Sequence, residues 1–235
     1  MKIKYFLLLL VVSLLGVESC VVYRPHNVDI PLLEETGDMH LDVSASMAAP
    51  LLTAPSLNAS FAWAPLPLLG TQLYTSFSDL KNYHFQLAAG TYQSFNGTVL
   101  EWYVGYGHGN SYEASNGTNH HYLISGNYDL VFSKINMGWN NIFDSSVDWG
   151  MGLKGGLLTP DWRKTEVNDD GTETLADKHN SPHFLLEPQL MLRLGGDNVK
   201  ISFNVAYAFI TDWPTENNYF NYDRFSGSIG IHFKF

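Results

Sequence analysis

From about Asp38 to the last residue, apolar and polar side chains alternate with a period of two, in segments averaging about ten residues. A period of two puts every second side chain on one face of a strand and leaves no continuous stripe for a helix to bury. The last segment is the clearest: Phe225, Gly227, Ile229, Ile231, Phe233 and Phe235 share one face, with Arg224, Ser226, Ser228, His232 and Lys234 on the other. The one before it sets Val199, Ile201, Phe203, Val205, Tyr207 and Phe209 against Lys200, Ser202, Asn204, Ala206 and Ala208. Eight further strands are expected near Asp38–Ser46, Leu57–Ala64, Thr71–Phe77, Tyr83–Tyr92, Thr98–His108, Tyr128–Trp139, Val147–Leu157 and Phe184–Leu194. No stretch of a dozen residues beyond the N-terminal apolar run has the i, i+3, i+4, i+7 pattern of a helix.

Globular strands average about five or six residues, whereas a tilted strand needs about ten to cross a bilayer. The connections test this independently. Pro65–Gly70, Ser94–Gly97, Asn140–Ser145 and Gly195–Asn198 are short, and they alternate with Met47–Ser56, Ser78–Asn82, Gly109–Gly126, Thr159–Pro182 and Thr211–Tyr222, of which all but Ser78–Asn82 are long. Short periplasmic turns alternating with long outer loops are the plan of a transmembrane barrel. The expected fold is therefore all-β: an antiparallel up-and-down transmembrane barrel of ten strands over residues 38–235, closed by pairing of the first and last strands.

Alternation alone does not say which face points outward, since a soluble lipocalin-like barrel alternates too, with the apolar face inside. Composition favours the membrane version. Only 15% of the 235 residues are charged, against roughly 25% in an ordinary soluble domain. The polar faces carry Gly, Ser, Asn and Gln, and their sparse charges can pair inside a lumen: Asp42, Glu101 and Glu187 against Lys134, Lys154, Arg193 and Arg224. Of these, Glu101, Lys134, Lys154, Glu187, Arg193 and Arg224 are the expected luminal charge network. Trp63, Trp139, Trp149, Tyr106 and Phe235 stand at or near strand ends, as interfacial girdles require, and the chain closes on Phe-Lys-Phe, similar to the terminal aromatic signal of inserted barrels. A net charge of -10 with no basic block argues against nucleic acid as a partner.

Residues 1–19 read as a signal peptide: Lys2 and Lys4, then an apolar run from Tyr5 to Leu15 too short to span about 30 Å of hydrocarbon. The only cysteine, Cys20, follows directly and has no partner for a disulfide. Its placement resembles that of the lipidated cysteine of bacterial lipoproteins, so lipidation is expected there, with residues 20–37 as a lipid-anchored tether. Cys20-Val21-Val22-Tyr23-Arg24-Pro25, followed by Pro31-Leu32-Leu33-Glu34-Glu35-Thr36-Gly37-Asp38, resembles the opening of a family of outer-membrane barrel lipoproteins of the Bacteroidota. Later pieces are similar as well, among them Gly126-Asn127-Tyr128, Leu186-Glu187-Pro188 and Arg193-Leu194-Gly195-Gly196. The resemblance implies the outer membrane as location and the barrel as architecture; it implies no activity, and His40 has no role assigned by it. No acidic run follows Cys20, and an even strand number returns the C-terminus to the side of the anchor, so both termini are expected in the periplasm.

Chemistry-bearing groups are few. His120-His121 with His108 would need a loop geometry to share a metal, because adjacent strand histidines point to opposite faces. Asp161, Glu166, Asp169, Asp170, Glu173 and Asp177 make the connection Thr159–Pro182 acidic without any regular calcium-loop spacing. His183 and Asp212 are the acid–base candidates at the rim, with no local signature, and there is no Gly-x-Ser-x-Gly. No catalytic residue, metal or cofactor is assigned beyond the lipid on Cys20. The expected function is a structural, surface-binding or adhesion-type role through outer connections such as Trp213–Phe220, facing external carbohydrate or protein, with lipid as the remaining partner. A small solute pore and a rim-active hydrolase are the alternatives.

Overall fold

The computed structural model describes residues 23–27, 29–48, 55–116, 121–142, 146–168, 172–211 and 222–235. In chain order the strands are β1 Met39–Ala48, β2 Ser56–Leu66, β3 Leu69–Phe77, β4 Tyr83–Phe95, β5 Thr98–Asn116, β6 His121–Asn141, β7 Val147–Val167, β8 Glu173–His179, β9 His183–Gly195, β10 Val199–Tyr207, β11 Phe209–Thr211 and β12 Phe225–Lys234. Neighbours pair antiparallel from β1 to β7, β7 continues to β9, β9 to β10, and β10 to β12. The ring closes where β12 returns to β1, with His40 opposite Lys234 at one end and Ala48 opposite Ser226 at the other. This is a closed antiparallel barrel of ten strands; β11 prolongs β10, and β8 stands beside the far part of β7.

The apolar parity faces outward. On β1, Met39, Val43 and Met47 are exposed while His40, Asp42, Ser44 and Ser46 are buried, and β2, β4 and β9 alternate in the same sense. Trp63, Trp139, Trp149 and Phe235 gather at the short-turn end, where Trp139 stacks on Trp149 at 5.1 Å between centroids. Phe77, Tyr106, Phe184, Phe209 and Phe225 belong to the opposite, long-connection end. An apolar belt between two aromatic girdles suits lipid, and a soluble barrel would bury this face instead.

Two local features set the walls. The β4–β5 turn places Asn96 and Gly97 at φ 51° and 79°, the left-handed pair that a two-residue hairpin needs. At Gly90 the neighbouring strand comes so close that an added Cβ would stand 1.9 Å from the carbonyl oxygen of Trp102. Backbone cannot yield there cheaply, so Gly90→Ala is expected to deplete the compact, heat-modifiable species on a detergent gel. Full recovery of that species would contradict the close approach.

Two expectations need correcting. Gly109–Gly126 and Thr159–Pro182, expected as loops, are largely strand: β5, β6 and β7 run for 19, 21 and 21 residues, paired as far as Asn116 with His121 and His121 with Val167. Beyond the lipid belt neither face of a strand has to be apolar, so the alternation fades while the ladder continues.

The second correction concerns the tether. Over residues 23–33 it is a plug: Tyr23, His26, Asn27, Asp29, Ile30, Leu32 and Leu33 are all buried, and their partners are luminal. It enters at the long-connection end, where Tyr23 bridges Tyr222 and its carbonyl accepts the Asp223 N–H. It leaves at the short-turn end, where Lys234 holds Glu34 at 2.8 Å and the Gly37 N–H donates to the Ala64 carbonyl. Ten extended residue steps reach about 33–36 Å, enough for the full hydrocarbon thickness. Tyr23 and Phe235 therefore lie at opposite ends of the barrel, while the N-terminus, expected on the same side as the C-terminus, lies outside the described residues. The signal segment 1–19 and Cys20 lie outside the described residues.

Candidate functional site

Pro25 and Pro31 keep the plug from joining the sheet, since proline brings no N–H to a ladder. Its carbonyls must still be satisfied in a dry interior, and luminal side chains supply the donors. Gln72 donates to the Asp29 carbonyl at 2.6 Å and Lys134 to the same oxygen at 3.2 Å. Gln189 donates to His26, Asn140 to Leu32, and Arg193 to Ile30 and Pro31. The neutral polar lumen thus serves as a lining matched to one extended segment.

The buried charges fall into three knots around the plug. Arg193, with no exposed surface, directs Nη2 at both oxygens of Asp29 at 2.7 Å and lies 3.7 Å from Asp148, which pairs in turn with Lys200. Lys154 and Glu187, also fully buried, pair at 2.8 Å; Glu187 further accepts from the Tyr23 hydroxyl at 2.8 Å and from Gln189 at 3.0 Å. Glu101 accepts from the Leu33 N–H and the Asn136 amide, both at 2.8 Å, and from the Tyr103 hydroxyl. Each knot joins a wall strand to the plug. Glu101, Lys134, Lys154, Glu187 and Arg193 thus line the lumen, while Arg224 is exposed ahead of β12 and stands outside the set. Asp29, Asp148 and Lys200 complete it; Asp148 and Lys200 share the luminal parity of their strands, a signal legible in the alternation, whereas Asp29 sits in a segment without any.

Above the knots the mouth is aromatic. His26 of the plug stacks on His84 of β4 with centroids 3.6 Å apart and planes 2° from parallel, and its Nε2 is 3.0 Å from the Tyr128 hydroxyl. A recess of about 60 Å³ over this stack is lined by Arg24, Tyr74, Ser76, Asn82 and Tyr128 among others, well short of the roughly 300–1,000 Å³ of small-molecule pockets. Beside it Asp79 closes the 78–82 turn: hydrogen bonds from the Asn82 side chain, then from the Lys81 and Asn82 N–H groups, hold its carboxyl below the usual range.

Among the described residues the other candidate groups stand apart from the luminal knots. His108 meets Asp129 at 2.9 Å, on the outward face rather than in the lumen. His183 lies at the rim with its Nε2 2.6 Å from that of His179, while Asp212, His120, Asp169, Asp170 and Trp213–Phe220 lie outside the described residues. Asp161, Glu166, Glu173 and Asp177 are spread along β7 and β8.

The outward apolar belt, the girdles and the polar, filled lumen define a transmembrane β-barrel closed by its own N-terminal segment. No protein-family model and no curated protein matches the chain. Among solved structures it is similar to the outer membrane protease OmpT from Escherichia coli, with a TM-score of 0.53 at 9% identity over 85% of this chain and 93% of that one. The N-terminal β-barrel domain of Pseudomonas aeruginosa OprF aligns with a TM-score of 0.38 at 8% identity, covering 85% of this chain and 98% of that domain. Neisserial surface protein A gives 0.34 at 14% identity, covering 84% and 95%. At such identities the likeness to OmpT is one of fold.

Proposed function

We propose that the protein is an outer-membrane lipoprotein, lipidated at Cys20, whose closed barrel presents its long-connection end to external carbohydrate or protein. The occupied lumen carries this reading: with residues 23–33 wired to β9 through Arg193 and Glu187 and to β5 through Glu101, the interior is committed to holding the plug, and the free surface is the rim. The tall β5–β8 wall supports it, since β8 is exposed along almost its whole length and reaches beyond the lipid belt. The reading is of a binding protein rather than an enzyme or a pore. Three residue steps from Tyr23 to Cys20, spanning at most about 11 Å, would put such a lipid in the leaflet at the long-connection end.

The test removes the tip of that wall. Replacing residues 163–178 by a short turn is expected to leave heat-modifiable migration intact and to abolish binding of the purified protein to arrays of surface glycans and extracellular-matrix proteins. Equal binding by the trimmed and full chains would remove β7–β8 as the contact surface.

A further inference from the structure

Near the short-turn end, several luminal side chains that the three knots do not satisfy converge on the plug. Asp42 of β1 and His232 of β12 are directly opposed across the seam where the barrel closes. With Asp29 of the plug they offer ligand atoms that all lie within 4.8 Å of one another. His40, two residues from Asp42 on the same luminal face, packs edge-on against His232 with ring centroids 5.1 Å apart. Its ring is 1% exposed, and neither nitrogen has a hydrogen-bond partner. Oδ2 of Asp42 and Nδ1 of His232 are also buried without one, the latter 3.5 Å from Asp29. A buried polar atom left unsatisfied destabilises the fold, and interiors seldom gather several in one place without a reason.

We propose that this cluster binds one divalent transition-metal ion of the zinc class, held by Asp29, Asp42, His232 and His40. Asp42 and Asp29, the latter shared with Arg193, bring negative charge to the ion, and the mixed oxygen and imidazole donors select zinc-like ions over calcium or magnesium, which prefer oxygen alone. Donors about 2.1 Å from a tetrahedral ion stand roughly 3.4 Å apart, so Asp29, Asp42 and His232 need shifts of about 1 Å, while His40, outside that closest set, must move further to supply the fourth donor. Arg193 holds both oxygens of Asp29 and so orients it, as hydrogen-bonding partners do for metal-ligating carboxylates. The ion would join the plug and the first strand to the last strand, about 190 residues further along the chain. It would act as a clip on the barrel seam.

The experiment refolds the full chain in detergent with Zn²⁺, Ca²⁺ and Mg²⁺ together, desalts it, and counts metals by mass spectrometry. One zinc per folded chain is expected, without calcium or magnesium, together with a higher gel-shift temperature than for chain refolded with chelator. Asp42→Asn and His232→Gln, each checked for heat-modifiable migration, lose the zinc, while His179→Gln and His183→Gln keep it. If the seam variants do not fold, Co²⁺ in the wild-type barrel provides the reading, through the strong visible bands of a four-coordinate ion. A folded wild-type chain without zinc, zinc retained by both seam variants, zinc lost with the rim histidines instead, or Co²⁺ with only the weak bands of a six-coordinate ion overturns the proposal.

Discussion

A variant lacking residues 23–33 is expected to conduct ions stably in a planar bilayer where the full chain is silent. The plug runs the length of the lumen and takes up the donors of Gln72, Lys134, Gln189 and Arg193. Without it those groups must be hydrated, and the water that replaces the plug forms a continuous polar path through a ten-stranded ring. Leaving the plug in place and removing one carboxylate separates occlusion from stability. Asp29→Ala leaves Arg193 without its bidentate partner, and breaking a buried pair from one side typically costs about 3–5 kcal/mol. That variant should unfold at lower urea in detergent yet remain silent in the bilayer. Silence from a deletion variant that still shows heat-modifiable migration would mean that the lumen is closed by its walls and not by the segment within it.

The second large effect lies at Lys154 and Glu187, both without exposed surface and 2.8 Å apart. Glu187→Ala strands a buried ammonium and also deprives the Tyr23 hydroxyl of its acceptor, so a loss of about 3–5 kcal/mol is expected by equilibrium unfolding. Replacing both charges, as Lys154→Met with Glu187→Leu, should recover most of that loss, because apolar side chains of similar size avoid the desolvation of two ions. The double-mutant cycle then reads a coupling of several kcal/mol. Near-additive losses would place the two residues in separate environments.

How much of this was legible in the sequence follows from what the bilayer demands. Where lipid touches the wall, every outward residue must be apolar, and Phe225 to Phe235 or Val199 to Tyr207 announce their faces by parity alone. The ten strands, their closure and the luminal Glu101, Lys134, Lys154, Glu187 and Arg193 follow from the same rule. Past the belt the rule lapses, which is why the upper halves of β5, β6 and β7 read as loops. Arg224 was misplaced because parity was extended one residue beyond the strand that enforces it. The plug was invisible for a different reason: its hydrogen-bonding partners are contributed by strands more than 40 residues away, and a segment with two prolines carries no periodicity to reveal them.

The path of residues 23–37 also constrains the order of events in assembly. The segment precedes β1 in the chain, yet lies inside a ring whose final edge, Phe225–Lys234, is the last strand to be synthesised. A ring already closed gives it no lateral way in and would admit it only by threading along the axis, past the side chains that line the lumen. Completion of the barrel then works as a latch: once Phe225–Lys234 pairs with Met39–Ala48, the enclosed segment has no sideways exit between strands.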